Sequence, residues 1–431
     1  MMAGNLVQTL YNLTDTFFLG KLGKAELSAP TIAFPIIFFL ILFGIGFSMA
    51  GTTLIAQARG KGSDEQVNFY LGQSTSVLMI SSCIIGVLGI LLAKPLLLLL
   101  QTPEELIVFT SEYMIIIFSG LPFMFGFLIL QSSMQGIGKT MVPLVLQLFT
   151  VGLNIALDPL MIFGIGPFPA MGVQGAAAAT VATRAAGSFF AFMLLFQGRY
   201  GLRLTWRNMK PDKKAVRLIL RIGLPSSFGQ AVAALGFTVL QGVVNSFGTA
   251  VIAAFGVGNR LISLFSMPAM GISRASTTIV GQNLGAGDIE GAKETFRLSL
   301  AVIQAYLLPT MLLMFFFGNQ FVRFFVDDPE TMRYGAELFK IVSPSVVLFG
   351  FFHATTGVLQ GAGDTKPIMY LNLARLWLLR IPIVYLLAYS WEIGPASIWW
   401  GMFLSNMVTS AAGLYYLRRG TWITALDPGE L

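Results

Sequence analysis

Twelve apolar runs separated by short polar stretches make up nearly the whole chain. They cover about 1–20, 31–57, 70–93, 108–134, 141–163, 172–198, 215–246, 252–283, 293–317, 331–360, 367–389 and 394–417. Each is close to or above the roughly 20 residues an α-helix needs to cross a ~30 Å hydrocarbon core. The pattern therefore predicts an all-α integral membrane fold with twelve transmembrane helices. The longest polar interruption, Arg199 to Arg221, carries eight Lys/Arg against one acid, Asp212. It divides the runs into six and six, giving an N-terminal six-helix lobe (1–198), a basic linker (199–221), a C-terminal six-helix lobe (222–420) and a short tail (421–431).

The two halves repeat each other at one offset of 225 residues. Thr52–Gly62 aligns with Thr277–Gly287, matching Gln57 to Gln282, Gly60 to Gly285 and Gly62 to Gly287. Gln135-Gly136-Ile137-Gly138 aligns with Gln360-Gly361-Ala362-Gly363, Gly23 with Gly248, and Glu112 with Glu337. Six spans per half is an even number, so both halves enter from the same side as parallel repeats, an arrangement that encloses a cleft. The counterpart of Gly223-Leu224-Pro225, which opens the second repeat, would fall just before Met1.

Charge sets the orientation. With twelve spans, one side of the membrane receives sixteen Lys/Arg, including the basic linker, and the other receives Lys21, Lys24, Lys94, Arg323 and Arg333. Basic loops resist translocation, so the linker and both termini are expected on the cytoplasmic side of the membrane. Only 11% of residues are charged and mean hydropathy is +0.76, against roughly 25% charged in a soluble domain. The partner implied is the lipid bilayer. The net charge of +7 sits in short loops and reads as attraction to the cytoplasmic leaflet, not to nucleic acid. One cysteine, Cys83, excludes a disulfide framework or a zinc cluster. The first run carries Asn5, Gln8, Asn12 and Asp15, which argues against a cleavable signal peptide.

Ionisable groups inside spans are the first place to look for chemistry, since each costs about 2.5–3.5 kcal/mol at mid-bilayer. Asn5, Gln8, Asn12 and Asp15 share one helical face, with Tyr11 one turn before Asp15. Asn154 and Asp158 are four apart, and Pro159 frees a carbonyl one turn back. Thr180 and Thr183, with Arg184 beside them, add hydroxyls from the next span. The plainer reading is a structural ion pair between an acid and Arg184. Against it, the repeat places Leu240 opposite Asp15 and Ile383 (or Pro382) opposite Asp158. An acid needed only for packing should recur in the second half. The asymmetry points to an ion or proton site in the N-terminal half.

Other signals are weaker. Gly136-Ile137-Gly138-Lys139-Thr140 has part of a phosphate-loop pattern, but Ser133 stands where glycine is required and the second copy lacks the lysine; both copies read as tight turns. His353 is alone and makes no metal site. Arg260, Arg274, Arg375 and Arg380 fall inside spans of the second half, where arginines bond helix carbonyls, snorkel, or meet an anionic substrate. The 37 Phe and 20 Met would suit an adaptable cavity, although in lipid most such residues face outward.

The segments QTLYNLTDTFFLGKLG, LNIALDPLMIFG, QGIGKTMVP, QGAGDTKP and TTIVGQNLGAGD resemble the multidrug and toxic compound extrusion (MATE) transporters, in particular their DinF-like bacterial branch. The resemblance runs from about residue 5 to 420. It implies a twelve-helix, two-lobed antiporter, not an enzyme, that expels amphipathic, often cationic compounds in exchange for H⁺ or Na⁺ and needs no cofactor. By matching motifs, Tyr11, Asp15, Asn154, Asp158 and Thr180 would line the coupling-ion site, with Thr183 the alternative to Thr180. Na⁺, if used, would sit at Asp15, Asn154, Asp158 and Thr180. A single copy is expected to suffice. The related NorM-like branch carries acids in the C-terminal lobe; here that lobe offers only His353. The proline that DinF-like proteins carry in the first helix would fall before Met1. Two other classes compete. A flippase for lipid-linked intermediates would want a cationic cleft, and a membrane-embedded enzyme would need more than one His and one Cys.

Overall fold

The computed structural model describes residues 17–166 and 169–426. No strand occurs among them. The helices are α1 (Lys24–Gly60), α2 (Asp64–Leu99), α3 (Glu104–Ser119), α4 (Leu121–Gly136), α5 (Met141–Phe163), α6 (Gly172–Phe196), α7 (Lys213–Asn245), α8 (Thr249–Gly285), α9 (Ile289–Phe325), α10 (Pro329–Gly361), α11 (Thr365–Ser390) and α12 (Ala396–Arg418). Nine of the helices in the described residues are long and apolar enough to span a membrane, or ten if the bent pair α3–α4 is one span. The first expected span, about 1–20, lies outside the described residues up to position 16.

Helices form because these runs are apolar on every face, which in hydrocarbon leaves the helix as the structure that satisfies its own backbone. Large apolar side chains such as Leu99, Phe316 and Phe324 stay exposed, as expected of surface that meets lipid. The 45° bend between α3 and α4 falls at Gly120, followed by Pro122. Glycine is needed at the bend: a Cβ on Gly120 would lie 2.4 Å from Val181 Cγ2.

The chain divides into two compact units, Met1–Ser227 and Phe228–Leu431. The division falls inside α7, just after Pro225. Within each unit small residues let helices approach closely. The repeat is visible in individual bonds. In the first unit Thr52 Oγ1 lies 3.2 Å from both Ser48 O and Ser132 O. In the second, Thr277 Oγ1 lies 3.2 Å from Ser273 O and 3.0 Å from Gly357 O. All three residues are displaced by 225. The glycines of the repeated turns explain themselves as well. Gly138 and Gly363 adopt φ of +80° and +79°. Their N–H groups donate to Gln135 O and Gln360 O, while Lys139 N and Asp364 N reach back to Met134 O and Leu359 O. These are left-handed C-terminal caps, which glycine adopts without a Cβ clash, and they account for the GxG pattern without a nucleotide.

The basic stretch is more than a tether. Gln73 of α2, fully buried, donates to Asn208 O (2.8 Å) and Lys210 O (2.7 Å) and accepts from Asp212 N (2.9 Å). Ser76 donates to Met209 O, and Arg203 N donates to Asn68 Oδ1 at 2.7 Å. Gly72 makes room, since a Cβ there would lie 2.4 Å from Asn208 O. Asp212 then accepts from Lys214 N and Ala215 N at the start of α7. At the other end of the chain, residues 421–426 fold back on the second unit: Trp422 is buried with Val280, Ala292 and Val358, and donates to Leu417 O at 3.1 Å.

Candidate functional site

In the first unit α5 carries Asn154 and Asp158, both fully buried. One helical turn separates them, so the amide reaches the carboxylate: Asn154 Nδ2 donates to Asp158 Oδ1 at 2.9 Å. Asn154 Oδ1 is buried and has no hydrogen-bond partner among the described residues. An acceptor left in this state normally costs about 1–3 kcal/mol, unless a donor or a cation completes it. Pro159, the next residue, lacks the N–H that would have bonded Ile155 O.

Helix α6 packs antiparallel on α5, and two close approaches fix their register. A Cβ on Gly175 would lie 2.3 Å from Met161 O, and one on Gly187 would lie 2.7 Å from Thr150 Cγ2. These points put Thr183 level with Asn154 and Thr180 within about two residues of the level of Asp158. Thr183 is fully buried, and its hydroxyl donates to Thr180 O at 2.9 Å, while Thr180 is half-buried. Arg184 is half-buried on the same helix. Tyr11 and Asp15, with Asn5, Gln8 and Asn12, lie outside the described residues.

The second unit holds a polar cluster of a different kind. Arg380 Nε donates to Ser405 Oγ (2.9 Å) and Arg380 Nη2 to Asn406 Oδ1 (2.8 Å); Asn406 in turn donates to Ser345 Oγ (3.3 Å). Arg375 lies over Phe349 and Phe352, with its guanidinium carbon 4.8 and 4.9 Å from the ring centres. The expectation that these arginines bond helix carbonyls or snorkel therefore does not hold for this pair, whose partners are side chains. Arg260 is exposed. His353 packs edge-on against Phe349 at 4.4 Å, and its Nε2 has no hydrogen-bond partner among the described residues. Ser345, Asn372, Ser405 and Asn406 carry no signal in the sequence, because each is a small polar residue within an apolar run. Glu112 of α3 accepts from Gln174 Nε2 at 2.7 Å, which ties α3 to α6.

The family model for MatE matches residues 1–160 and 225–386. The chain belongs to the MatE family. The two matched blocks begin and end within a residue of the 225-residue offset that joins the halves. Among relatives of this MatE chain, the probable multidrug resistance protein YpnP of Bacillus subtilis (strain 168) is 29% identical over 423 residues, covering 98% of this chain and 93% of that protein. The probable multidrug resistance protein NorM of Thermotoga maritima is 28% identical over 428 residues, covering 98% and 90%. A crystal structure of MATE in the bent conformation superposes with a TM-score of 0.91 at 24% identity over 100% of this chain and 94% of that one, and shows that the fold is shared. MatE proteins are transporters and not enzymes, and this one is a multi-pass membrane protein of the multidrug efflux type.

Proposed function

We propose that the chain is a cation-coupled antiporter that exports amphipathic, often cationic compounds, with H⁺ or Na⁺ returning through the first unit. The observation that carries this reading is the buried Asn154–Asp158 pair with its unpartnered amide oxygen. A carboxylate buried in a bundle immersed in lipid is costly while it stays charged, and a proton or a Na⁺ ion relieves that cost. The donor set suits either. A proton neutralises Asp158 directly. Na⁺, a hard cation, would find oxygens on Asp158, Asn154 and a threonine of α6, joined in this reading by Asp15 and Tyr11. The names of relatives such as YpnP and NorM support a drug-like substrate.

Exchange follows from linkage. A ligand shifts a two-state equilibrium only through a difference in affinity for the two states. Cation binding at Asp15 and Asp158 changes how the first helix packs through its Asn5/Gln8/Asn12 face, and substrate binding weakens in consequence. By reciprocity substrate weakens cation binding by the same factor. The reading places the protein in the bacterial inner membrane as a monomer, with both termini and the basic stretch on the cytoplasmic side, where Lys/Arg loops accumulate. Reconstituted protein should drive ethidium against its gradient under an imposed ΔpH or Na⁺ gradient, and ethidium affinity should fall with added coupling ion. Affinity that stays flat in both titrations would leave facilitated diffusion as the better account.

A further inference from the structure

We propose that the second unit contains a binding site for an organic anion, a carboxylate or phosphate on an aromatic body, centred on Arg375 and Arg380. The proposal deepens the transport reading by naming a second substrate class. Its binding arm stands apart from whether transport is coupled to a cation.

Arg375 and Arg380 are 6% and 3% exposed, and both lie in α11, a helix long and apolar enough to span a membrane. A five-residue step in an α-helix would set them about 140° apart. Residues Ala374–Arg380 instead form a π-helical run, whose i→i+5 bonding stacks residues five apart on the same face. Such runs are rare and concentrate at functional sites. The local backbone therefore brings two positive charges together where an ordinary helix would separate them. Gathering like charges in an apolar interior is unfavourable unless something negative joins them.

Nothing negative does so among the described residues. Arg380 bonds Ser405 and Asn406, and Arg375 reaches Asn372 Oδ1 only at 3.4 Å. Every one of these partners is neutral. Arg375 Nε is buried with no acceptor among the described residues, and nearby His353 Nε2 is in the same state. A purely structural arginine would use its donors on carbonyls; the bonds of this pair to Asn372, Ser405 and Asn406 go to side chains instead, and Arg375 Nε is unspent. A guanidinium with free, coplanar N–H groups suits the two oxygens of a carboxylate or phosphate.

The walls suit the rest of such a molecule. Phe349 and Phe352 stack at 5.3 Å with an 8° tilt beneath Arg375, His353 meets Phe349 edge-on, and Arg380 lies 5.9 Å from the Phe237 ring. These faces offer stacking to a flat aromatic ring whose acidic group meets the guanidiniums. Ser345, Ser405 and Asn406 fix the Arg380 end in place, so part of the site is ordered before any ligand arrives.

The test uses the full chain in phosphatidylcholine nanodiscs. Carboxyfluorescein, an aromatic anion, is titrated by fluorescence anisotropy, with ethidium as the cationic reference. Saturable carboxyfluorescein binding above that of empty nanodiscs is expected. Arg375→Gln and Arg380→Gln should each lower the anion-to-cation affinity ratio at least tenfold, and Arg375→Lys should recover part of it. If the variants do not fold, the wild type still decides: benzoate should displace carboxyfluorescein and neutral benzamide should not. Replacing part of the phosphatidylcholine with phosphatidylglycerol should leave binding unchanged. Displacement by that lipid would assign the pair to a headgroup and overturn a soluble substrate. Absence of saturable carboxyfluorescein binding, or equal competition by benzoate and benzamide, would overturn the site itself. Failure of ethidium transport with the anion still bound would count against the antiport reading alone.

Discussion

On matching helices of the repeat, the first unit buries an acid and the second buries a base. Asn154 and Asp158 are bonded to each other on α5, whereas Arg380 on α11 is held by Ser405, which stands 225 residues after Thr180. The scaffold around the two sites diverges in step. Gly120 leaves space for Val181 in the first unit; their counterparts Ser345 and Asn406 bond to each other and steady the arginine. What stays the same is the geometry that closes helices onto each other, namely the Thr52 and Thr277 bonds and the glycine turns. The comparison teaches that the duplicated positions divide into a constant framework and a variable lining, and that the sign of the lining was free to change.

The sharpest way to break this comparison is to remove the acid. Asp158→Asn keeps the shape and a hydrogen-bonding end but loses the charge, and gradient-driven ethidium efflux from proteoliposomes should fall to the level of empty vesicles while the purified protein keeps its elution profile. Asp15→Asn should do the same. Full efflux in both would remove the carboxylates from coupling.

A smaller effect tests the framework. Gly136→Ala would place a Cβ 3.0 Å from Thr52 O, and Gly361→Ala would place one 2.5 Å from Thr277 O. Overpacking costs typically ~1–3 kcal/mol, and the second substitution should lower the unfolding temperature more than the first. Equal shifts would mean that the second unit adjusts its helices more easily than its spacing suggests.

Gln73→Ala removes three hydrogen bonds between α2 and the basic stretch. At about 1 kcal/mol per bond, the stretch should loosen locally while the helices stay folded. Trypsin, which cuts after Lys and Arg, reports this directly: the variant should be cleaved between Arg199 and Arg221 at least several-fold faster than the wild type.

The smallest effect is a difference in acid sensitivity. Asp328 caps α10 by accepting from the backbone N–H and the hydroxyl of Thr331. These bonds hold its carboxyl below the usual range. The corresponding cap of α3 is Pro103, which has no side-chain acceptor. A depressed folded value means that the stabilisation is complete above the ordinary aspartate pKa of about 3.9 and is lost as pH falls through the lowered value. Amide exchange at the start of α10 should therefore rise at low pH, with no matching change at α3.

Much of the architecture was legible because membrane helices declare themselves by length and hydropathy, and because one offset held at several separate places. The expected spans 141–163 and 172–198 coincide with α5 and α6 to within two residues. The Asn154–Asp158 bond was legible from a four-residue spacing. The arginine pair was not, because helical-wheel reasoning assumes the α period and separates Arg375 from Arg380; only the π-helical run joins them. Ser405 and Asn406 were invisible for another reason: their role depends on which helix they face. The clasp by Gln73 was hidden as well, since its partners lie about 135 residues downstream and are mostly backbone oxygens, which carry no residue-type signal.

That clasp decides where the polypeptide can be divided. A pair of gene fragments cut at Gly198 would look natural, since the last helix of the first six ends there. It would give the first product a buried glutamine whose carbonyl and amide lack their partners, and give the second product the residues that were meant to cover it. A cut on the far side of Asp212 would keep lid and vessel on one polypeptide. Coexpressed halves should assemble in the second case and be degraded in the first, so the covalent midpoint of the duplication is not the place where the protein comes apart.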